Sequence, residues 1–349
     1  MRRVSRIAVA GVATAALAVT VSACGSSSKS SAGSGDDKNL GLALAYDVGG
    51  KGDQSFNDAA TAGMEKADKE FGFKSTAVEP QDGESDADKV QRLENLAKQG
   101  YNPVIGVGFA YAPAVKEAAA KFPKTTFGIV DDEQTKADNV ADLVFSEEQA
   151  SYLAGVAAAK ATKSNVVGFI GGVNVPLIHK FGAGFKQGVQ DTKKGVTVKE
   201  QYLTETAAEG GFSSPDKGES AAEGQIDAGA DVVYAAAGLS GQGVIKAASA
   251  NKVWAIGVDS DQYKQDALKA YQASILTSAM KNVEGAVYEL AKSVEQGKPQ
   301  SGVIRGSLSN GGVSLANSNP SFSGNKEIQD AVNKAAEAIK NGTIKVKTS

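Results

Sequence analysis

The sequence predicts an α/β fold made of two lobes, each built around a sheet of mainly parallel strands. From Asn39 onward, short apolar runs alternate with segments of helical periodicity, which is typical of βαβ units. Eight such units exceed what one sheet usually holds, and about 310 of the 349 residues are available to build two cores. We place the first lobe at residues 39–145 plus about 279–298, and the second at 146–278 plus about 299–349.

Strands are predicted where an apolar run ends, mostly at Gly or Asp, before a helical segment begins. The candidates are Leu40–Tyr46, Val104–Val107, Thr126–Val130, Val166–Ile170, Val196–Leu203, Val232–Ala236, Val253–Val258 and Ser274–Ser278. The alternation of these runs with helices favours parallel sheets over a sandwich of hairpins.

The helix after the first strand has an apolar face with the spacing of a 3.6-residue period. Its members are Phe56, Ala60, Met64, Ala67 and Phe71. Ser55 and Asp58 resemble a capping box at the start of this helix. Similar stripes are Val90/Leu93/Ala97, Ala150/Leu153/Val156/Ala157 and Val283/Val287/Leu290/Val294, and a last helix is predicted over Asn325–Asn341 in the second lobe.

The first residues have the organisation of a secretion signal. Met1–Arg6 is basic, and Ile7–Val21 is an uncharged apolar run that is too short for an ordinary membrane span. The following Ser22-Ala23-Cys24, with Val21, resembles a bacterial lipobox. Residues 1–23 are therefore predicted to be a lipoprotein signal peptide and Cys24 to carry lipid, with a generic secretory peptide as the alternative.

Composition limits the partners. Residues 24–38 are rich in Gly and Ser and predict a flexible tether on the extracytoplasmic face of the cell membrane. With Cys24, the only cysteine, assigned to lipid, no disulfide remains. Without the leader, the chain has 34 Lys and Arg and 40 Asp and Glu. The resulting net charge of −6 does not favour binding to nucleic acid or to anionic lipid. We therefore expect membrane attachment through acyl chains alone.

Three carboxylates come directly after predicted strands: Asp47, Asp131 and Asp259. In open α/β sheets, ligands bind in the crevice outside the carboxyl ends of the strands. The three side chains are therefore expected to converge on one cleft, although an aspartate at this position can also simply cap a turn or helix. Carboxylates repel phosphate but accept hydrogen bonds from hydroxyl, amide-like and amino groups, so a neutral polyol or heterocycle is the expected ligand.

Aromatic and basic side chains near these positions extend the candidate site. Phe56 and Phe181, one in each lobe, are candidates to stack on a planar ligand, with core packing as the alternative for Phe56. Lys281 follows the last strand and is a candidate partner of Asp259 and donor to a hydroxyl. His179, the only histidine, lacks the motifs of a catalytic triad. We expect no enzyme activity, no zinc or iron site and no cofactor.

The order of several motifs along the chain resembles the basic membrane protein (BMP) family, the purine nucleoside receptor-like binding lipoproteins of ABC importers. The motifs are Asp47–Asn57, Phe145–Gly155, Val167–Gly172, Phe181–Gly188, Ala237–Val244, Gly257–Gln262 and Thr277–Lys281. The resemblance implies a type I periplasmic-binding-protein fold, in which two Rossmann-like lobes joined by a hinge close on a nucleoside. It also implies ABC permease subunits as partners, and we expect a monomer.

The resemblance also implies roles for individual residues. Asp47, Asp53 and Asp131 would hold the base, Phe56 and an aromatic at or near Phe181 would sandwich it, and Gly238, Asp259 and Lys281 would hold the ribose. Asn57 belongs to the site or caps a helix, and the adjacent Asp132 is an alternative to Asp131. Alternative functions are a nucleoside-acting extracytoplasmic enzyme, or a binding lipoprotein for riboflavin or a sugar.

Overall fold

The chain is organised by two β-sheets, each covered by helices on both faces. The computed structural model describes residues 39–81 and 83–349. The predicted signal peptide, the lipidation site Cys24 and the tether lie outside the described residues. Among the helices within these ranges, none is long and apolar enough to cross a membrane.

Within the described residues, the strands are short and mostly buried. They are β1 (Ala43–Ala45), β2 (Thr76–Val78), β3 (Val104–Gly106), β4 (Phe127–Val130), β5 (Val140–Phe145), β6 (Val166–Val173), β7 (Thr197–Thr204), β8 (Val232–Ala236), β9 (Trp254–Asp259), β10 (Ile275–Lys281), β11 (Gly302–Gly306) and β12 (Val313–Leu315). The helices are α1 (Phe56–Phe71), α2 (Asp86–Gln99), α3 (Ala112–Lys121), α4 (Glu147–Ala161), α5 (Pro176–Thr192), α6 (Pro215–Asp227), α7 (Gly241–Ala250), α8 (Val283–Glu295), α9 (Pro320–Ser323) and α10 (Lys326–Lys340).

The two sheets have equivalent strand orders. The first has the strand order β11-β5-β4-β3-β1-β2 and the second has the order β12-β10-β9-β8-β6-β7. Apart from the antiparallel pair of β10 and β12, the neighbouring strands are parallel. Strand order reverses at β1 in the first sheet and at β6 in the second, so each lobe has a switch point where α/β folds bind ligands.

The chain passes between the lobes three times, after β5, after β10 and after β11. The crossing segments are hydrogen-bonded to one another: Ser146 N–H donates to the Gly306 carbonyl (2.8 Å) and Asn282 N–H donates to the Gly312 carbonyl (2.9 Å). A Cβ on Gly312 would lie 2.1 Å from the Cα of Gly306, so the two ends of the third crossing approach closely because neither residue has a side chain. These crossings form the hinge region.

The lobe boundaries differ from the predicted ones. β11 pairs with β5 in parallel, from Gly302 opposite Ala141 to Gly306 opposite Phe145, so it extends the first sheet. The assignment of all residues from about 299 onward to the second lobe is therefore wrong for this strand. β10 continues to Lys281, three residues beyond the predicted lobe boundary at 278 and at the end of the range 278–281 in which the chain is expected to return to the first lobe. The physical reason is that a strand joins the sheet edge with which it can pair. That edge is formed by residues distant in the chain, so the local sequence of the strand does not identify it.

The eight predicted strands are present, and four strands, β2, β5, β11 and β12, were not predicted. β2 and β12 have three residues each, which is too short for a periodic signal. β5 carries Asp142 within an otherwise apolar run. The predicted stripes lie on α1, α2, α4 and α8, and Ala60, Ala67, Leu93 and Leu290 are completely buried.

Candidate functional site

A cleft lies between the carboxyl ends of the two sheets, and the empty space in it, counted together with open solvent, is about 530 Å³. The first lobe lines it with Asp47, Gly49, Asp53, Phe56, Gly108, Phe109 and Asp131, and the second with Leu177, Ile178, Phe181, Phe212, Ala236, Ala237, Gly238, Val258, Asp259 and Lys281. The structure thus brings eight of the nine predicted ligand residues to one cleft, and only Asn57 lies outside the lining.

Asn57 is completely buried behind the cleft and orients two carboxylates. Its Nδ2 donates to Asp47 Oδ1 (2.7 Å) and to Asp53 Oδ2 (3.1 Å), while its Oδ1 accepts from the Asp47 N–H (3.2 Å). Asp47 Oδ1 also accepts from the Gly49 N–H (3.0 Å). Among the described residues, Asp47 Oδ2 has no hydrogen-bond partner, so it is the oxygen available to a ligand. Burial raises the pKa of Asp47.

The Asp53 carboxylate caps the start of α1. It accepts from the backbone N–H groups of Ser55, Phe56, Asn57 and Asp58, in addition to the Asn57 side chain. A carboxylate has about four lone-pair sites, so this one is saturated. Burial raises the pKa of Asp53, and the N–H donors oppose the rise. Asp53 therefore shapes the cleft wall and has little capacity left for a ligand.

The predicted Ser55–Asp58 capping box at α1 is wrong. The Ser55 side chain makes no cap hydrogen bond, and its Oγ donates instead to Asp259 Oδ2 of the other lobe (2.7 Å). Asp58 turns back to the preceding loop and accepts from the N–H groups of Gly52 (2.8 Å) and Gln54 (3.0 Å). Asp53 takes the capping role because it can reach four N–H groups at once.

Asp131 and Asp259 occupy equivalent positions, at the end of the fourth strand of each sheet. Both have left-handed backbones, with φ of 69° and 61°. Such a conformation costs about 1–3 kcal/mol for a non-glycine residue and is concentrated at functional sites. It turns both carboxylates into the cleft. Asp132, the alternative to Asp131, does not line the cleft and accepts from the Gln134 N–H (2.9 Å).

Lys281 lies between these two carboxylates. Its Nζ is 2.6 Å from Asp131 Oδ2 and 3.7 Å from Asp259 Oδ1, so it links the lobes across the cleft. Burial lowers the pKa of Lys281, but Asp131, Asp259 and Glu147 outweigh that effect and raise it overall. Lys281 is therefore a charged donor at neutral pH. Asp131 Oδ1 and Asp259 Oδ1 are buried without hydrogen-bond partners among the described residues, which leaves acceptors for a ligand.

Glu147 is a buried acid that the sequence argument missed. It is the first residue of α4, immediately after the first crossing, and Lys180 Nζ lies 3.7 Å from its Oε2. Within the described part of the chain, neither carboxylate oxygen has a hydrogen-bond partner. Burial raises the pKa of Glu147 to about 7, with a further rise from Asp131 and opposing effects from Lys281 and Lys180.

Glu147→Gln is expected to stabilise the protein at pH 8 and to have little effect at pH 5. Because the pKa of Glu147 is about 7 instead of 4.5, the folded state binds more protons than the unfolded state between these pH values. The free energy of unfolding of the wild type therefore falls as the pH rises through this window. The glutamine variant avoids the loss, an advantage of about 1–3 kcal/mol at pH 8.

Urea unfolding at pH 5 and pH 8 measures this effect. The control is Glu223→Gln, at an exposed position of α6. An identical pH dependence in the wild type and Glu147→Gln would contradict the assignment of a raised pKa to Glu147.

Aromatic rings form much of the cleft wall. Phe56 and Phe181 are both predominantly buried and lie near Lys281, whose Nζ is 4.6 Å and 5.7 Å from their ring centroids. Phe109 and Phe212 were not predicted. They meet edge to face across the lobes, with centroids 6.5 Å apart. Phe109 follows β3, so the same strand-end argument that selected the aspartates would have found it, whereas Phe212 lies in an irregular segment without a local signal.

His179 takes no part in the cleft lining. Its Nε2 is hydrogen-bonded to Asn174 Oδ1 (2.7 Å), and its ring packs against Tyr202 at 5.2 Å. Among the described residues, no group of three or more His, Cys, Asp or Glu side chains has an arrangement that would hold a metal ion.

Comparison with known proteins identifies the group to which this fold and cleft belong. A family model described as ABC transporter substrate-binding protein PnrA-like matches residues 42–349, which is nearly all of the described chain. The chain belongs to the Bmp family. The resemblance inferred from the motif order is thereby confirmed, and this Bmp-family chain is a substrate-binding protein of an ABC transporter.

Three similar proteins show how far the likeness extends. The Bmp-family chain is 36% identical over 322 residues to the ABC transporter nucleoside-binding protein BmpA of Lactococcus lactis subsp. cremoris (strain MG1363), covering 88% of this chain and 89% of the relative. It is 33% identical over 293 residues to an uncharacterized lipoprotein of Pyrococcus horikoshii, covering 79% of this chain and 68% of the relative.

The third is a solved structure of ABC transporter system solute-binding proteins from Aeropyrum pernix K1. It matches with a TM-score of 0.76 at 26% identity, covering 89% of this chain and 94% of that chain. Together with the two mainly parallel sheets, this likeness confirms the predicted α/β periplasmic-binding-protein fold.

Proposed function

We propose that this chain is a lipid-anchored receptor on the extracytoplasmic face of the cell membrane, which captures a nucleoside between its lobes and delivers it to an ABC permease. The observation that carries the proposal is the composition of the cleft, where aromatic rings stand beside carboxylates and one lysine. Aromatic rings can stack on a planar base, and carboxylates can accept hydrogen bonds from the N–H groups of the base and from the ribose hydroxyls. The name of the Lactococcus lactis relative supports the same ligand class.

The base is assigned to the part of the cleft around Asp47 and Phe56. Asp47 Oδ2 is the free acceptor there, and Gly108 leaves room beside it, because a Cβ on Gly108 would lie 3.6 Å from both Asp47 Oδ2 and Phe56 Cε1. Phe212 lines the cleft from the second lobe and is less buried than Phe181. We therefore assign the second stacking face to Phe212 and treat Phe181 as a wall residue. A purine, with the larger face, suits two rings best.

The ribose is assigned to the charged end of the cleft. Asp259 Oδ1 supplies an acceptor and Lys281 a donor, the pair that a vicinal diol needs. Gly238 has φ of 53°, and a Cβ on it would lie 3.2 Å from the Phe212 carbonyl oxygen, so glycine allows this segment of the cleft lining to pass close to Phe212.

The anchor is proposed from the sequence of the leader and from the name of a relative, since Cys24 lies outside the described residues. The lipobox-like Val21–Cys24 and the lipoprotein name of the Pyrococcus horikoshii relative support it. Metabolic labelling with a radioactive or clickable fatty acid is expected to label the wild type and not Cys24→Ser.

Calorimetry on the chain from Gly25 onward tests the ligand class. After stripping of bound ligand, at least one of adenosine, guanosine, inosine, cytidine and uridine is expected to bind, and chromatography is expected to recover it intact. Binding of riboflavin or a sugar instead of any nucleoside would overturn the proposal. Release of free base and ribose would favour the enzyme alternative.

Phe212→Leu is expected to weaken binding of the preferred nucleoside about two- to tenfold, because ring stacking contributes about 0.5–1.5 kcal/mol beyond burial. The matched control is Phe73→Leu, at a partly buried aromatic outside the cleft lining. Equal nucleoside affinities of the Phe212→Leu and Phe73→Leu variants would contradict the assignment of Phe212 as the second stacking residue.

A further inference from the structure

The two lobes are joined by hydrogen bonds at one side of the cleft, between the loop Gly52–Ser55 and the second lobe. The carbonyl of Gly52 accepts from Gln242 Nε2 (3.0 Å), the carbonyl of Gln54 accepts from Gln262 Nε2 (3.1 Å), and the carbonyl of Ser55 accepts from Ser260 Oγ (2.7 Å). The Ser55 hydroxyl adds a bond to Asp259 Oδ2 (2.7 Å). We call this set of four hydrogen bonds the latch.

The first lobe presents the loop in a fixed orientation. Asp58 accepts the N–H groups of Gly52 and Gln54, and Asp53 accepts that of Ser55. With its N–H groups bound within its own lobe, the loop directs its carbonyls toward the second lobe. Gln54 has φ of 56°, a conformation that costs free energy in a non-glycine residue and that these bonds maintain.

The second lobe holds its side of the latch equally firmly. Gln262 is buried, its Oε1 accepts from the Val258 N–H (3.1 Å), and its backbone N–H donates to Ser278 Oγ (3.2 Å). The amide is thereby oriented with Nε2 toward the Gln54 carbonyl. A Cβ on Gly257 would lie 2.2 Å from Gln262 Oε1, so the glycine at this position makes room for the amide.

Three of the four latch bonds are donated by residues outside the cleft lining. Gln242, Ser260 and Gln262 do not line the cleft, whereas the fourth bond is accepted by Asp259, which does. The three bonds donated by Gln242, Ser260 and Gln262 therefore stabilise closure without contacting a ligand. A receptor whose closed state is already stabilised needs less of the ligand's binding free energy for closure.

We infer that Gln242, Ser260 and Gln262 are positioning residues that hold the lobes closed on the Gly52–Ser55 loop and thereby set ligand affinity without contacting the ligand. The inference about affinity rests on the proposed function, whereas the inference about closure does not. Loss of two latch bonds is expected to shift the ratio of closed to open molecules about tenfold toward open.

The test is a distance measurement between the lobes in Gln242→Ala/Ser260→Ala. Cys24 is the only cysteine, so the chain from Gly25 onward accepts a label pair at Lys116→Cys and Glu223→Cys, which are exposed positions on α3 and α6. Without ligand, the wild type is expected to show a large closed population by electron paramagnetic resonance, and the variant a longer mean distance. The matched control is Gln190→Ala/Ser220→Ala, with the same substitutions at exposed positions of the second lobe.

Affinity supplies the second readout, with the preferred nucleoside from calorimetry as the probe. The variant is expected to bind it about tenfold more weakly and, at saturation, to return to the closed distance of the wild type, which shows that the cleft is intact. Identical ligand-free distances in wild type and variant would overturn the latch. If no nucleoside binds, the ligand-free distances still show whether the latch holds the lobes closed. Failure of the latch inference and failure of the proposed function are therefore distinguishable.

Discussion

Lys281→Met is expected to lower the free energy of unfolding by about 3–5 kcal/mol at pH 8, which is typical of removing one partner from a buried ion pair. Lys281 is 5% exposed and is the nearest cation to both Asp131 and Asp259. Methionine keeps most of the side-chain length but leaves Asp131 and Asp259 without the cation that lies between them, while Glu147 keeps Lys180 Nζ 3.7 Å from its Oε2. The effect on nucleoside affinity is expected to be at least tenfold, because the variant loses a donor and the inter-lobe ion pair together.

The pH dependence separates lost charge from lost packing. Burial already raises the pKa of Asp131 in the wild type, and Lys281 opposes that rise. In Lys281→Met the pKa therefore rises further. Between the ordinary pKa of aspartate and the raised one, the folded state then holds a proton that the unfolded state has lost. The unfolding free energy of the variant therefore falls as the pH increases through this window, and its deficit relative to wild type is largest at pH 8 and smallest at pH 5. A deficit that is the same at both pH values would indicate a packing defect.

A double variant completes this experiment. Lys281→Met/Asp131→Asn removes one negative charge with the positive one and is expected to recover part of the stability but not the affinity. Lys334→Met, at an exposed position of α10, is the matched control and is expected to change stability by less than about 0.5 kcal/mol. Urea unfolding and calorimetry measure the two quantities.

The strand-end aspartates could be found from the sequence because their signal is local. Asp47, Asp131 and Asp259 each follow an apolar run, and the carboxyl ends of parallel strands share one edge of a sheet. The repeated topology of the lobes then brings both edges to one cleft. What local pattern does not contain is the left-handed backbone of Asp131 and Asp259, which aims their side chains at Lys281.

Residues that act through other residues were harder to find. Asn57 belongs to the motif Asp47–Asn57, yet its burial behind Asp47 and Asp53 follows from the packing of a whole loop against α1. The capping-box prediction at Ser55 was wrong for a related reason: its hydroxyl has a partner 204 residues away in the chain, at Asp259. Such a partner exists only after both lobes have folded and closed.

In the last part of the chain, local sequence likewise does not show to which sheet each strand belongs. β11 and β12 are both short and follow the second crossing, and no local feature says that one extends the first sheet and the other the second. β11 pairs with β5 and β12 pairs with β10, so the outcome depends on contacts with strands that are distant in the chain.

Gly188→Ala is expected to lower the free energy of unfolding by about 1–3 kcal/mol, although it adds a single methyl group to a helix. α4 and α5 touch along their backbones, and a Cβ on Gly188 would lie 2.0 Å from the Tyr152 carbonyl oxygen. That atom belongs to a helix and cannot move alone, so the two helices must separate. α5 carries Phe181 and α4 begins with Glu147, so the separation also displaces the wall of the cleft and is expected to weaken ligand binding.

The matched control for this change is Gly224→Ala in α6. Gly224 is exposed in the interior of a helix, and a Cβ there would have no neighbour within 4 Å. Alanine at that position is expected to raise the free energy of unfolding by about 0.5–1 kcal/mol, because it restricts the unfolded chain and favours the helix. The same substitution should therefore have opposite signs at the two glycines in urea unfolding, and a stable Gly188→Ala variant would contradict the close backbone contact of α4 with α5.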